Sequence, residues 1–78
     1  SGEELRETTD LADLLVSLNR QKDALTLLRA VSEEADQKGN TELQLKTARL
    51  AKSLKDEVTV RAACTRALST GLAGVRCP

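Results

Sequence analysis

Between Gly2 and Gly71 the chain carries a single glycine, Gly39, and no proline. A stretch this free of helix breakers, with leucine and alanine recurring at three- and four-residue intervals, can hold little besides α-helix. Gly39-Asn40 is its one strong interruption. Gly39 comes after the polar run Glu33-Glu34-Ala35-Asp36-Gln37-Lys38 and is expected as the left-handed residue just past a helix end. Thr41-Glu42-Leu43-Gln44 then reads as a capping box, the threonine oxygen taking an orphan backbone N–H and Gln44 reaching back. Strand-like alternation never persists, and Val58-Thr59-Val60 is too short to hold a sheet. The class is all-α.

Helix number is set by the phase of the apolar residues. At 100° per residue Leu11, Leu14, Leu15 and Leu18 share one stripe, whereas Ala24, Leu25, Leu28, Val31 and Ala35 share another, turned by roughly 100°. The wholly polar Asn19-Arg20-Gln21-Lys22 lies at the jump. A second jump of roughly 100° separates Leu43, Leu50 and Leu54 from Val60, Cys64, Ala67 and Leu68. Lys55-Asp56-Glu57 sits there, with Asp56 placed to cap the helix that begins after it. The expectation is a small bundle of three to four helices, two αα-hairpins joined at Gly39-Asn40, with helices over about 3–18, 22–38, 41–55 and 57–70. Leu14, Leu18, Leu25, Leu28, Leu50, Leu54 and Leu68 lie at the stripe centres and are expected in the shared core. Leu5, Val16, Leu27 and Leu45 fall off the stripes, and a joined patch of such residues would mark a partner surface or dimer seam.

With 78 residues the chain is one domain near the lower limit of unaided folding. Ser1-Gly2 resembles a scar of tag cleavage, residues 3–70 form the helical domain, and 71–78 are expected as a flexible tail. No charged-then-apolar leader opens the chain and no segment approaches the ~20 apolar residues that span a bilayer, so a soluble, cytoplasmic protein is expected.

Composition narrows the chemistry. Phe, Tyr, Trp, His, Met and Ile are all absent, and apolar volume comes from fourteen leucines, ten alanines and five valines. Histidine-dependent catalysis is excluded, as is aromatic stacking on nucleic-acid bases. Two cysteines plus carboxylates make a poor metal-ligand set. Twelve basic and twelve acidic side chains cancel, leaving no field to attract nucleic acid or an anionic membrane. The carboxylate clusters Glu3-Glu4, Glu33-Glu34 and Asp56-Glu57 fit helix starts and a solvated face better than an acid–base pair. Eight threonines and five serines have no histidine to activate them; they read as caps and helix-surface residues. Gly71 and Gly74 come after a helix instead of leading into one, so no phosphate loop forms. Hence no catalytic, cofactor or metal site is expected, and no small-molecule, nucleic-acid or membrane partner. Cys64, inside a helical pattern, is expected buried and reduced, and Cys77, penultimate in the Gly-rich tail, free and reactive.

Leu11-Ala12-Asp13-Leu14-Leu15 matches the LxxLL spacing with which short helices dock into coactivator grooves of nuclear receptors. The same spacing is how an amphipathic helix meets its own core, and that is the reading adopted. Lys22-Asp23-Ala24-Leu25-Thr26-Leu27 echoes Lys55-Asp56-Glu57-Val58-Thr59-Val60 at an offset of 33 residues, close to a helix-turn-helix repeat period.

The chain carries two resemblances. Residues 11–28, with Leu11-Ala12-Asp13-Leu14-Leu15-Val16-Ser17-Leu18 before the turn and Asp23-Ala24-Leu25-Thr26-Leu27-Leu28 after it, resemble one tetratricopeptide helical hairpin. Leucine fills that family's aromatic positions, and Gly39 stands where its closing proline would. The composition as a whole, Glu-rich helix starts, Leu/Ala interiors and Arg/Lys/Glu surfaces, resembles a computationally designed helical bundle. The second resemblance implies a non-enzymatic structural bundle made as a folding test or scaffold. The first implies a natural interaction module that binds a peptide or helix. Either leaves a protein, a peptide or a second copy of the chain as the partner to look for.

Overall fold

The computed structural model describes residues 2–78; Ser1, half of the expected scar, lies outside the described residues, and Gly2 opens the first helix. The chain forms four α-helices: α1 Gly2–Ser17, α2 Gln21–Ser32, α3 Thr41–Ser53 and α4 Glu57–Ser69, with a 3-10 turn at Ala35–Gln37 and no strand among the described residues. The all-α class, the two hairpins and both phase-jump breaks are as the sequence implied. Packing runs α1 on α2, α2 on α3 and α3 on α4, leaving α1 and α4 as the outer helices.

Both hairpins turn in the same way. Asn19 and Lys55 adopt left-handed φ of 62° and 61°. Around them Arg20 N–H reaches back to Leu15 O (2.8 Å), and Asp56 N–H to Ala51 O (2.9 Å). These are the six-to-one bonds with which a left-handed residue closes a helix. Every helix ends in serine, and the hydroxyls of Ser17, Ser53 and Ser69 donate to the carbonyls of Leu14, Leu50 and Arg66 at 2.6–2.7 Å. A hydroxyl competing for the i−3 carbonyl weakens the helical ladder just where it must stop.

The turns set the true register between the halves. Asn19 matches Lys55, so the repeat offset is 36 and not the 33 expected from Lys22 and Lys55. At this offset Ala12-x-Leu14-x-x-Ser17-Leu18 coincides with Ala48-x-Leu50-x-x-Ser53-Leu54.

Helix α2 stops at Ser32, six residues short of the expected 38. Residues 33–36 are all exposed, so no apolar face holds them in the helix. The buried Gln44 amide instead donates to Ser32 O (3.0 Å) and Gln37 O (3.2 Å), satisfying carbonyls that the break frees. Gln44 is thereby drawn away from the capping box assigned to it. Asn40, one residue before the expected Thr41, is the N-cap of α3, its Oδ1 accepting from Leu43 N–H at 3.1 Å. Gly39 is not in the left-handed region, which Gly71 and Gly74 occupy instead. Thr41 has another task. Its hydroxyl donates to that of Thr70 (2.9 Å), tying the start of α3 to the end of α4.

Asp56 caps α4 as expected, accepting from the Thr59 N–H (3.2 Å) and hydroxyl (2.6 Å). The Thr59 hydroxyl, then its N–H, hold the Asp56 carboxyl below its ordinary 3.8 against the opposing effect of desolvation, with the Arg29 charge adding least. A lowered folded-state pKa contributes stability that is present above 3.8 and disappears as pH falls through the folded value. In a carboxyl-carbon NMR titration Asp56 should therefore titrate below 3.8, and Thr59→Val should bring it back towards that value. An unchanged midpoint in Thr59→Val would show that the hydroxyl is not the cause.

The core departs most from expectation. Of the seven leucines assigned to it, Leu25 and Leu28 are buried, Leu50 and Leu54 half-buried, and Leu14, Leu18 and Leu68 exposed. Alanine fills much of the interior: Ala12, Ala24, Ala48, Ala51, Ala63 and Ala67 are each no more than 1% exposed. Small side chains let helix axes approach, and a leucine there would hold them apart. Leu5, Leu15, Leu27, Val31 and Leu50 pack around the central cluster of Ala12, Ala24, Leu28 and Leu43. Leu5 and Leu27, off-stripe in the sequence, thus belong to the interior.

Candidate interaction surface

Helix α1 is amphipathic twice over. Its inner face carries buried Ala12 with half-buried Leu5, Thr8, Thr9 and Leu15. Its outer face carries Leu11 and Leu14, continued just past its end by Leu18; the three are spaced i, i+3, i+7 and are 48%, 53% and 59% exposed. Leu11 and Leu14 of the LxxLL segment are therefore not the core anchors expected of them: Ala12, between them, and Leu15, the last leucine of the segment, are what meet the bundle. Ala12 is the α1 member of the buried cluster that it forms with Ala24 and Leu28 of α2 and Leu43 of α3.

The register between the halves explains why these leucines lack cover. Leu11 and Leu14 of α1, with Leu18 just after it, occupy the positions of Thr47 and Leu50 of α3, with Leu54 just after it. In α3 Thr47 is fully buried, and Leu50 and Leu54 are half-buried because α2 and α4 flank that helix. Among the described residues no element flanks α1 on the corresponding side. Glu7 and Asp10 lie beside the stripe on the preceding turns. With Glu3, Glu4 and Asp13 against Arg6 alone, α1 is strongly acidic. Asp13 is engaged at 2.7 Å by Lys46 of α3, an exposed ion pair that orients the two helices without adding much stability.

The other outer helix, α4, and the segment after it carry Arg61, Arg66 and Arg76 against Glu57. On α4, Val58, Arg61 and Leu68 share the face turned away from buried Thr59, Ala63 and Ala67, with Val58 69% and Leu68 56% exposed. Beyond α4 the chain reverses, Gly71 and Gly74 taking φ of 74° and 81°. That reversal brings Cys77 to Cys64, Cα–Cα 5.7 Å, and the two form a disulfide. The expectation of a buried, reduced Cys64 and a reactive Cys77 is overturned. Cys64 is half-buried, and two left-handed glycines within four residues supply the turn that a frayed tail would lack. Residues 71–78, expected as a flexible tail, are thus tethered to α4, with exposed Leu72 and Arg76 on the returning segment.

Concavities are small. A cleft of ≈ 260 Å³ opens between α1 and α3, lined by Leu5, Arg6 and Thr9 on one side and Asn40, Leu43 and Lys46 on the other. Within it the Thr9 hydroxyl donates to Arg6 O and the Lys46 ammonium is held by Asp13. A smaller one of ≈ 130 Å³ lies over Val31 and Gln37. Glu3-Glu4 stands exposed in the first turn of α1, and Glu33-Glu34 stands exposed in the turn that follows α2. Asp56, the carboxyl with a resolved shift, moves down, whereas a general acid needs it raised. Among the described residues no group of three or more Cys, Asp or Glu is placed to hold a metal ion, and no helix is long and apolar enough to cross a membrane. Comparison of the chain with families of known proteins, with curated proteins and with solved structures finds no match.

Proposed function

We propose that this chain is a non-enzymatic helical module of two stacked hairpins that works through a surface, presenting the leucine face of α1 to a protein or peptide helix. The observation that carries this reading is the open stripe of Leu11, Leu14 and Leu18. Three leucines at helical spacing, all about half exposed, form a joined apolar strip, unlike the scattered single leucines of an ordinary surface. Acidic side chains beside it would select a basic partner helix, steering it and fixing its direction.

The interaction-module reading is favoured over that of a designed scaffold by two features. Gln44 Oε1 is buried without a hydrogen-bond partner, and the apolar strip faces solvent; a bundle laid out for stability alone avoids both. The Cys64–Cys77 bond also favours an oxidising compartment over the cytoplasm expected from the sequence.

The test is a fluorescence-anisotropy titration with a helix-forming peptide bearing leucines at i, i+3, i+7 and arginines between them. Binding should be micromolar at low salt and weaken roughly tenfold in Leu14→Gln, a loss of about 1.4 kcal/mol. No binding at about 1 mM peptide, or equal binding by Leu14→Gln, would refute the assignment.

A further inference from the structure

We infer that the occupant of the α1 face is a second copy of this chain, docked head to tail so that α1 of one molecule lies against α4 and the returning tail of the next. This rests on the interaction reading above and names the partner for the same surface.

Two independent observations carry it. The first is charge. The outer helix α1 sets five carboxylates against Arg6, Asp13 among them paired with Lys46, whereas the other outer helix and its tail set exposed Arg61 and Arg76 and half-buried Arg66 against the one carboxylate Glu57. Each outer helix, with the residues just after it, also exposes apolar bulk: Leu11, Leu14 and Leu18 at one, Val58, Leu68 and Leu72 at the other. An α1–α1 pairing would bring acidic helices together and is disfavoured. The α1–α4 pairing matches acidic apolar with basic apolar.

The second is the internal repeat. Within one chain the second hairpin packs behind the first through α2 and α3. Leu50, at the α3 position equivalent to Leu14, packs there against the cluster of Ala12, Ala24, Leu28 and Leu43. A hairpin from another copy placed before α1 would cover Leu14 as the first hairpin covers Leu50. Such a contact is heterologous, so it leaves one free α1 face and one free α4 face in every dimer.

Sedimentation equilibrium of the oxidised chain tests this. Weight-average mass should rise above the monomer with concentration at about 50 mM NaCl and return towards it at about 500 mM, because screening shortens the reach of the charges. Two variants carry the geometry. The triple variant Leu11→Gln, Leu14→Gln, Leu18→Gln lacks the α1 face, and Arg61→Glu with Leu68→Gln lacks the α4 face. Each alone should be monomeric, yet their equimolar mixture should form a dimer and nothing larger. Glu7→Lys with Asp10→Lys keeps every leucine and should weaken wild-type association roughly tenfold. All substituted side chains are exposed, and circular dichroism checks that helicity is retained.

Dimerisation of the Arg61→Glu, Leu68→Gln variant on its own would overturn the head-to-tail contact. So would a wild type that stays monomeric to about 1 mM at low salt. If the arginine–leucine peptide still binds that monomer, the interaction surface stands and only the second copy is lost. Failure of both experiments removes the surface itself.

Discussion

Truncating Leu28 to alanine should destabilise the fold by about 2–5 kcal/mol, whereas Leu14→Ala should stay within about 0.5 kcal/mol of the wild type. Leu28 is 1% exposed and sits in the cluster where α1, α2 and α3 meet; Leu14 is 53% exposed. The removed methyl groups leave a cavity at the first site and only water at the second. Leu27→Ala should fall between, since Leu27 is half-buried against the same cluster. Urea denaturation midpoints of the three variants give the order directly. A domain this small has a total stability of roughly 5–8 kcal/mol, so Leu28→Ala should begin unfolding without denaturant. Should Leu14→Ala prove as damaging as Leu28→Ala, the α1 stripe is packed and cannot serve as a docking face.

Opening the Cys64–Cys77 bond should cost about 3 kcal/mol, the loop entropy released to the unfolded chain by a link across a separation of 13 residues. The bond joins α4 to the segment that returns beyond Gly71 and Gly74, and α1, α2 and α3 take no part in it. Local hydrogen exchange should therefore accelerate most at the end of α4 and in the tail. Amides near Leu25 and Leu28 should change only by the drop in global stability. The measurement compares oxidised and reduced midpoints, with Cys64→Ser, Cys77→Ser as the control that cannot reoxidise. Two reactive thiols in the unreduced monomer, or equal midpoints in both redox states, would rule out a stabilising bond.

Much of the architecture was legible in the residues. The polar runs at Asn19-Arg20 and Lys55-Asp56, each at a jump of helical phase, became the two hairpin turns, and Asp56 became a cap. The repeat that relates the halves was also present, as Ala-x-Leu-x-x-Ser-Leu at 12–18 and 48–54. The Lys-Asp echo at offset 33 masks it: that echo lies across a turn, and chemical likeness there does not imply the same place in the fold. The LxxLL segment contains two leucines of the candidate surface, but its spacing alone assigns them to the wrong side of the helix. Helical periodicity shows that a face is apolar and is silent on whether anything covers it.

The sequence by itself determined local matters: that the chain is helical, where its hairpins turn, and which residues share a stripe. Those depend on propensity, capping and 3.6-residue spacing, all acting within a few residues. Only the tertiary structure decided which of two apolar faces on α1 turns inward, where α2 stops, and that Cys77 meets Cys64. Each of these depends on groups far apart in the chain. Ala12 and not Leu14 joins the cluster of Ala24, Leu28 and Leu43, the carbonyls of Ser32 and Gln37 are taken up by a buried amide twelve and seven residues away, and the tail reaches α4 through two left-handed glycines. A stripe records the hydrophobicity of a face; the neighbour that buries it, or its absence, is a property of the packed molecule.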